Sequence, residues 1–326
     1  MANLFNFTFS SSLHFQIEGH IAERRASGFI YNSAATVLKD LDNFCVRNAY
    51  SDSTVTKELA EAWSVQRDTE GLSARNIRVS VLRQLSRYIL SLGQNAYMPP
   101  RAQSGETKIA HVFTNQELCE FFSGLESLKP NNGKHAEMLL AECKVIFRLY
   151  YCCGLRKSEP LGLLWENVDL EHGWIKVLQS KGYKDRILWL PDDLLGMLKE
   201  YKYTLSHFIP EAEYVFPGTK AGKHINDLTV RNYFLRTLET TSCWNIANPP
   251  TIKSFRHTFV VDRLNNWLAA GESIDEKLPY LCKFLGHSSI HESLYYYHQV
   301  EEGMRIVREK DKTSATVIPE VIPYEV

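Results

Sequence analysis

Two adjacent prolines, Pro99 and Pro100, decide how the 326-residue chain can be divided. Neither donates a backbone hydrogen bond, and together they hold an extended, polyproline-like path that no helix can cross. The segment around them, Met98-Pro-Pro-Arg-Ala-Gln-Ser-Gly-Glu-Thr-Lys108, is polar and reads as a linker. The predicted division is a small helical domain over 1–98, a linker over 99–110, a larger domain over 111–310 and a tail over 311–326. A chain of this length suits two domains of ordinary size.

Apolar spacing supports helices on the N-terminal side. From Asn32, the residues Val37, Leu38, Leu41, Phe44 and Cys45 recur at helical intervals. A second helix is expected near Thr54–Gln66, with Leu59, Ala62 and Trp63 inward. A third has Ser73 as its cap, an inward stripe of Ile77, Val81, Leu85, Tyr88, Ile89 and Leu92, and Gly93 as its stop. Arg75, Arg78, Arg83 and Arg87 fall off that stripe, either as a solvated face or as a face laid against phosphates.

Beyond the linker, Thr114-Asn-Gln-Glu117 reads as a capping box ahead of Leu118, Phe121, Phe122 and Leu125. A long apolar helix is predicted from about His135 to Cys153, ending at Gly154, and a short one around Pro160–Trp165. A hairpin follows: Trp174–Leu178, a polar turn over Gln179–Arg186, then Ile187–Leu190 closed by Pro191. The rest reads as helices over Asp192–His207, Thr229–Thr240, Lys253–Ala269, Leu278–Leu285 and Ser288–Arg308, with Thr313–Val326 extended. The expected class is mainly α with a small β-sheet.

Composition excludes some functions and leaves others open. The net charge is −1, from 37 basic and 38 acidic residues, so bulk charge lends no support to a nucleic-acid partner. Any such partner must be recognised by local placement of Lys and Arg. No stretch of about 18 apolar residues is present to span a bilayer, and the first residues do not read as a signal peptide. Seven cysteines with no C-x-x-C pair fit reduced, buried thiols, and a cytoplasmic setting is expected.

Four segments set strongly polar residues beside core-forming sequence. They are Cys153-Gly-Leu-Arg156-Lys-Ser-Glu159, Ser180-Lys181-Gly-Tyr-Lys184-Asp-Arg186, Lys253-Ser-Phe-Arg256-His257-Thr-Phe, and Leu285-Gly-His287 running on to Tyr295-Tyr296-Tyr297-His298. Singly, each has a structural explanation. Arg156 can pair with Glu159, Lys181 can be a solvated turn residue, Arg256 can form a helix-start ion pair, and the tyrosines can pack.

In that order, however, the four segments resemble the boxes of the tyrosine recombinase (phage integrase) family. The resemblance extends over nearly the whole chain and includes a helical core-binding domain ahead of an α+β catalytic domain. In the family's last box the nucleophile lies nine residues after the His, and counting from His287 selects Tyr296.

The resemblance implies DNA cleavage and rejoining through a 3′-phosphotyrosyl intermediate. Arg156 and Arg256 are then the guanidinium clamp on the non-bridging oxygens, with His287 as a further phosphate ligand. Losing one such preorganised donor costs on the order of 10²–10³ in rate. Lys181 matches the general acid that protonates the leaving 5′-oxygen, and Tyr296 the nucleophile. Since the phosphotyrosine conserves the bond energy, neither ATP nor another cofactor is expected, and no metal. Lys253 stands where the family usually has His; it can donate to a phosphate oxygen but cannot accept a proton at neutral pH unless burial strongly lowers its pKa. His257 is expected to be a helix residue facing the core or Glu159. Arg75, Arg78, Arg83, Arg87 and Lys184 are candidate DNA contacts.

The partners implied are duplex DNA with inverted-repeat core sites and further copies of this chain, two per site and four in synapsis, with association with the nucleoid. An exchanged C-terminal segment, Val317–Tyr324, fits that picture. A type IB topoisomerase has similar chemistry, and a catalytically silent DNA-binding regulator is the alternative outside enzymes. The box spacing and the helical domain favour a recombinase, and the little room ahead of the helical domain for an arm-site domain suggests one of the Xer-like or mobile-element kind.

Overall fold

The computed structural model describes residues 6–101, 110–133, 135–180, 184–219 and 222–287. The chain separates into two compact units, Met1–Lys108 and Ile109–Val326.

In the first unit the described helices are α1 (His14–Ala26), α2 (Asn32–Arg47), α3 (Lys57–Ser64) and α4 (Leu72–Ser91). Helix α4 packs on the other three. Leu82, Leu85 and Ile89 join Ile17, Leu38, Leu41, Leu59 and Trp63 in one core. Asp42, fully buried on α2, accepts the backbone N–H of Ser11 at 2.8 Å and the Lys39 ammonium at 2.7 Å, which pins the segment before α1.

The face of α4 differs from the expected one. Ile77 and Leu92 are exposed, whereas Arg78 is buried and occupies the core-facing row with Leu82, Leu85 and Ile89. The reason is a partner that periodicity cannot reveal. Glu70, in the turn before α4, accepts from Arg78 Nε at 2.8 Å and from its Nη2, while Nη1 reaches the Trp63 carbonyl and Nη2 the Val65 carbonyl at 3.0 Å. The guanidinium carbon lies 4.7 Å from the centre of the Trp63 ring. A buried charge is tolerated when paired and hydrogen-bonded in this way. Arg78 is therefore not a residue of a DNA-facing surface. The helix also begins one residue before Ser73, with Gly71 at its N-cap.

In the second unit, α5 (Asn115–Ser127) starts at the Thr114/Glu117 capping box. Helix α6 (Ala136–Cys152) carries buried residues around its circumference, including Met138, Cys143, Ile146, Phe147 and Tyr150. Such a helix must be covered by neighbours. Around it stand α7 (Asp192–Phe208), α8 (Asp227–Leu238) and α9 (Ile252–Ala269). Phe121, Phe147, Phe234 and Phe255 interlock with ring centres 5.1 to 6.1 Å apart. Edge and tilted contacts of this kind anchor the first turn of α9, one residue before Arg256. Helix α10 (Ile274–Leu285) packs on α9 and on the sheet.

The sheet is antiparallel in the order β1 (Val168–Asp169), β2 (Trp174–Ser180), β3 (Lys184–Trp189). Its strands run further into the hairpin than the expected polar turn over 179–186. Val177 pairs with Arg186, so Arg186 is a strand residue, and alternation sends it inward with Leu188. Before β1 the expected short helix is replaced by turns and a 3₁₀ turn at Trp165–Asn167. The predicted helix over 288–308 and the extended tail lie outside the described residues.

Candidate active site

Two chain reversals and one helix start build the site. The first follows α6. Gly154 has φ +57°, and a Cβ there would lie 2.7 Å from Phe259 Cδ1 and 3.0 Å from Leu285 Cδ2. Glycine alone satisfies both demands, a left-handed backbone and contact with two core side chains. The turn is tied back by Tyr150, whose hydroxyl donates to the Lys157 carbonyl at 2.6 Å. Arg156 is thereby lifted out of the core at a defined point.

The second reversal ends α10. Gly286 has φ +66°, its N–H donates to the Lys283 carbonyl at 3.2 Å, and the next N–H, of His287, donates to the Cys282 carbonyl at 2.9 Å. This is the paired bonding of a Schellman motif. It explains the order Leu-Gly-His in physical terms: leucine closes the core, glycine turns the chain, and His287 emerges at a fixed angle. The third element is the start of α9, where the Thr251 N–H donates to Ser254 Oγ at 3.0 Å and Arg256 follows two residues later.

These elements bring Arg156, Arg256 and His287 together. Arg256 Nη1 donates to the Gly154 carbonyl at 2.6 Å and Nη2 to the Leu285 carbonyl at 2.9 Å. Arg156 Nη2 donates to the Gly286 carbonyl at 2.7 Å. The carbonyls that hold the guanidiniums thus belong to the C-terminal ends of α6 and α10, where the helix dipole is negative. Arg256 Nη2 also lies 2.8 Å from His287 Nε2. A guanidinium can only donate, so Nε2 accepts and the imidazole proton sits on Nδ1. Burial first, and then the charges of Arg256, Arg156 and Arg186, push the His287 pKa down to about 3. The ring is neutral at physiological pH.

Two residues outside the expected set complete the cluster. Glu159, 4% exposed, accepts the Arg156 backbone N–H at 2.7 Å and its Nη1 at 3.1 Å. It also takes both terminal nitrogens of Arg186, at 2.9 and 2.7 Å. The pairing of Arg156 with Glu159 is readable from their spacing, but Arg186 reaches the same carboxylate from 27 residues away. Its signal in the sequence is the i, i+2 alternation with Leu188 and Leu190.

The other candidates are placed as follows. Lys253 is exposed on the first turn of α9. His257 is half-buried, and burial, Arg256 and Lys253 lower its pKa to about 4. Lys184 opens β3, paired with Ser180. Lys181 and Tyr296 lie outside the described residues. In the first unit, Arg75 Nε donates to the Ser64 carbonyl at 2.6 Å. Arg83 and Arg87 line an open groove of about 710 Å³ together with Arg24 and Arg101, two cations outside the expected set.

Comparison with known proteins gives a consistent picture. Residues 130–302 match the model of the phage integrase family. The tyrosine recombinase XerC of Chlorobaculum tepidum is 28% identical over 281 residues, covering 78% of this chain and 79% of that protein. Among solved structures, the XerH site-specific recombinase bound to its difH substrate, a pre-cleavage complex, aligns with a TM-score of 0.61 at 20% identity, over 91% of this chain and 84% of that one. A lambda integrase tetramer bound to a Holliday junction aligns with a TM-score of 0.60 at 17% identity, over 87% and 76%.

Proposed function

The chain belongs to the phage integrase family, and we propose that it is a site-specific DNA recombinase that breaks and rejoins strands through Tyr296. What carries this reading is the convergence of two guanidiniums and a neutral histidine from three distant segments. Arg156 Nη2 and Arg256 Nη2 lie 2.7 and 2.9 Å from the successive carbonyls of Gly286 and Leu285.

In this reading Arg156 and Arg256 bind the non-bridging oxygens of the scissile phosphate. Charge on those oxygens grows as the pentacoordinate transition state forms, so fixed cationic donors stabilise it more than the ground state. His287 donates through Nδ1–H. The Tyr296 hydroxyl oxygen attacks phosphorus and releases its proton to solvent water. The bond to the 5′-oxygen breaks, and Lys181 supplies that oxygen with a proton. The products are a 3′-phosphotyrosine and a 5′-hydroxyl, and attack by a 5′-hydroxyl from another duplex reverses the step with strand exchange. Lys253, being exposed, serves as a donor to phosphate.

The groove bearing Arg24, Arg83, Arg87 and Arg101 is a DNA-backbone surface in the same reading. A structural neighbour, lambda integrase, was solved as a tetramer on a Holliday junction, which supports four copies acting together; the reading adds two copies of this chain on each inverted-repeat site.

The test is covalent trapping on a nicked duplex carrying the site that the full-length protein selects from a random-sequence pool. Tyr296→Phe is expected to form no adduct, while Tyr295→Phe and Tyr297→Phe retain it. An adduct that survives Tyr296→Phe sinks the assignment.

A further inference from the structure

We infer that Arg186 is a positioning residue for strand cleavage: by occupying the buried carboxylate of Glu159 it keeps Arg156 available to the scissile phosphate. The inference rests on the reading of Arg156 as a phosphate ligand.

A carboxylate offers about four acceptor sites in its plane. Glu159 receives two N–H donors from Arg156 and two from Arg186. The shares are unequal. Arg186 gives both terminal nitrogens, at 2.9 and 2.7 Å, whereas the Arg156 side chain gives Nη1 at 3.1 Å and turns Nη2 to the Gly286 carbonyl. The bidentate geometry, the stronger of the two modes, therefore belongs to Arg186.

Among the described residues, removing Arg186 would leave a nearly fully buried carboxylate with half of these donors and with Arg156 as the adjacent cation. An uncompensated buried charge is far more costly than a side-chain rotation. Arg156 would close a bidentate pair with Glu159 and withdraw from the Gly286 carbonyl. The cluster of Arg156, Arg186, Arg256 and Glu159 carries three positive charges and one negative; without Arg186 it would carry two and one. Both changes weaken the hold on a phosphate.

Two features separate this role from simple anchoring of the hairpin. Arg186 Nε finds no partner among the described residues, and both bonds of the side chain go to Glu159. The residue is also held on β3 opposite Val177, the last regular pair before the irregularity in the ladder between Val177 and Ser180. Gly286 leaves the space that both guanidiniums use, since a Cβ there would lie 3.3 Å from Arg186 Nη1 and 3.4 Å from Arg156 Nη1.

The experiment compares two versions of the nicked duplex, one with the ordinary scissile phosphodiester and one with a neutral methylphosphonate there. A neutral centre has little need of a positioned cation. Arg186→Gln is expected to slow adduct formation on the phosphodiester about 10–100-fold, the scale of an ångström of misplacement. On the methylphosphonate it should react within about threefold of the unsubstituted protein. Arg156→Ala, run alongside, should show the same relief. If Arg156→Ala is equally impaired on both substrates, the clamp reading itself fails. Relief for Arg156→Ala but not for Arg186→Gln overturns the inference about Arg186, as does an undiminished rate of Arg186→Gln on the phosphodiester. Circular-dichroism melting reports whether Arg186→Gln folds. If it does not, Arg186→Lys, which retains the charge but not the fork, decides by the same comparison and is expected to show the pattern at smaller size.

Discussion

Replacing Gly286 by alanine tests whether the turn that delivers His287 also sets the positions of the arginines. Two costs can be worked out separately. The backbone stands at φ +66°, where a residue with a Cβ is destabilised by about 1–2 kcal/mol relative to glycine. The added methyl would also lie 3.3 Å from Arg186 Nη1 and 3.4 Å from Arg156 Nη1, closer than carbon and nitrogen settle without a shift of a few tenths of an ångström. Those nitrogens are not free to swing away, because Glu159 holds them at 2.9 and 3.1 Å. The displacement must pass into the clamp. An ångström of misplacement at a reacting centre costs about 100-fold, so a few tenths implies a loss of roughly three- to tenfold. Urea unfolding of the full chain measures the first cost. Single-turnover adduct formation with saturating protein, at a temperature where the variant is folded, measures the second. A stability loss of the expected size with no change in rate would refute the idea that guanidinium placement is sensitive to this turn.

Three further outcomes follow from charge placement. Alanine at both Arg83 and Arg87 should reduce the slope of log affinity against log salt by about 2, near 0.9 for each phosphate no longer neutralised, as read by fluorescence anisotropy at several ionic strengths. Arg78→Ala should leave that slope unchanged but destabilise the first unit, because it strands Glu70, whose pKa the Arg78 hydrogen bond chiefly holds down at about 2; a changed slope in a folded variant contradicts its placement. Glu142, fully buried on α6 and accepting the Gly218 N–H at 3.0 Å, has its pKa pushed up to about 8 by burial. A raised folded-state pKa means stability that is complete below the unfolded value, near 4.5, and declines as pH rises to about 8. Glu142→Gln should remove that decline in urea titrations at pH 5 and pH 8, and an unchanged pH dependence would show that Glu142 ionises as readily folded as unfolded.

What could be read from the sequence depended on whether the controlling interaction was local. The Thr114/Glu117 box, the stop of α6 at Gly154 and the turn at Gly286 are set by neighbours within a few residues, and each lies where residue type and spacing put it. Recognition of Arg156, Arg256 and His287 came from a family pattern, and their convergence needed the fold. Arg78 shows the opposite case. A basic residue at a helical position that completes an apolar row reads as surface until its acidic partner is known, and Glu70 sits in an irregular turn with no period to reveal it. The hairpin strands read as too short for a related reason. Their polar residues look like turn material, whereas Lys184, Asp185 and Arg186 are strand residues, the last kept inside by Glu159.

For a chain of net charge −1, the proposed hold on a phosphodiester depends on the kind of acceptor that orients its cations. A buried guanidinium needs acceptors, and a carboxylate is the strongest available, but a carboxylate cancels the charge that phosphate binding requires. Arg256 avoids that loss, because two of its bonds go to peptide carbonyls, of Gly154 and Leu285, at the ends of helices. Partial charges orient it while its full charge remains. Arg156 is held partly by a carboxylate, and there a second arginine, Arg186, offsets the negative charge. Total composition is blind to this arrangement. Among the described residues, three guanidiniums against one carboxylate in a small volume leave an excess of two positive charges, and exposed acidic side chains farther than about 8–10 Å away are screened from it by salt. The same reasoning explains the neutral His287. Burial first, and then the like charges of Arg256, Arg156 and Arg186, keep Nε2 unprotonated, so in the proposed role the ring would contribute a hydrogen bond from Nδ1 without drawing on the charge of the arginines.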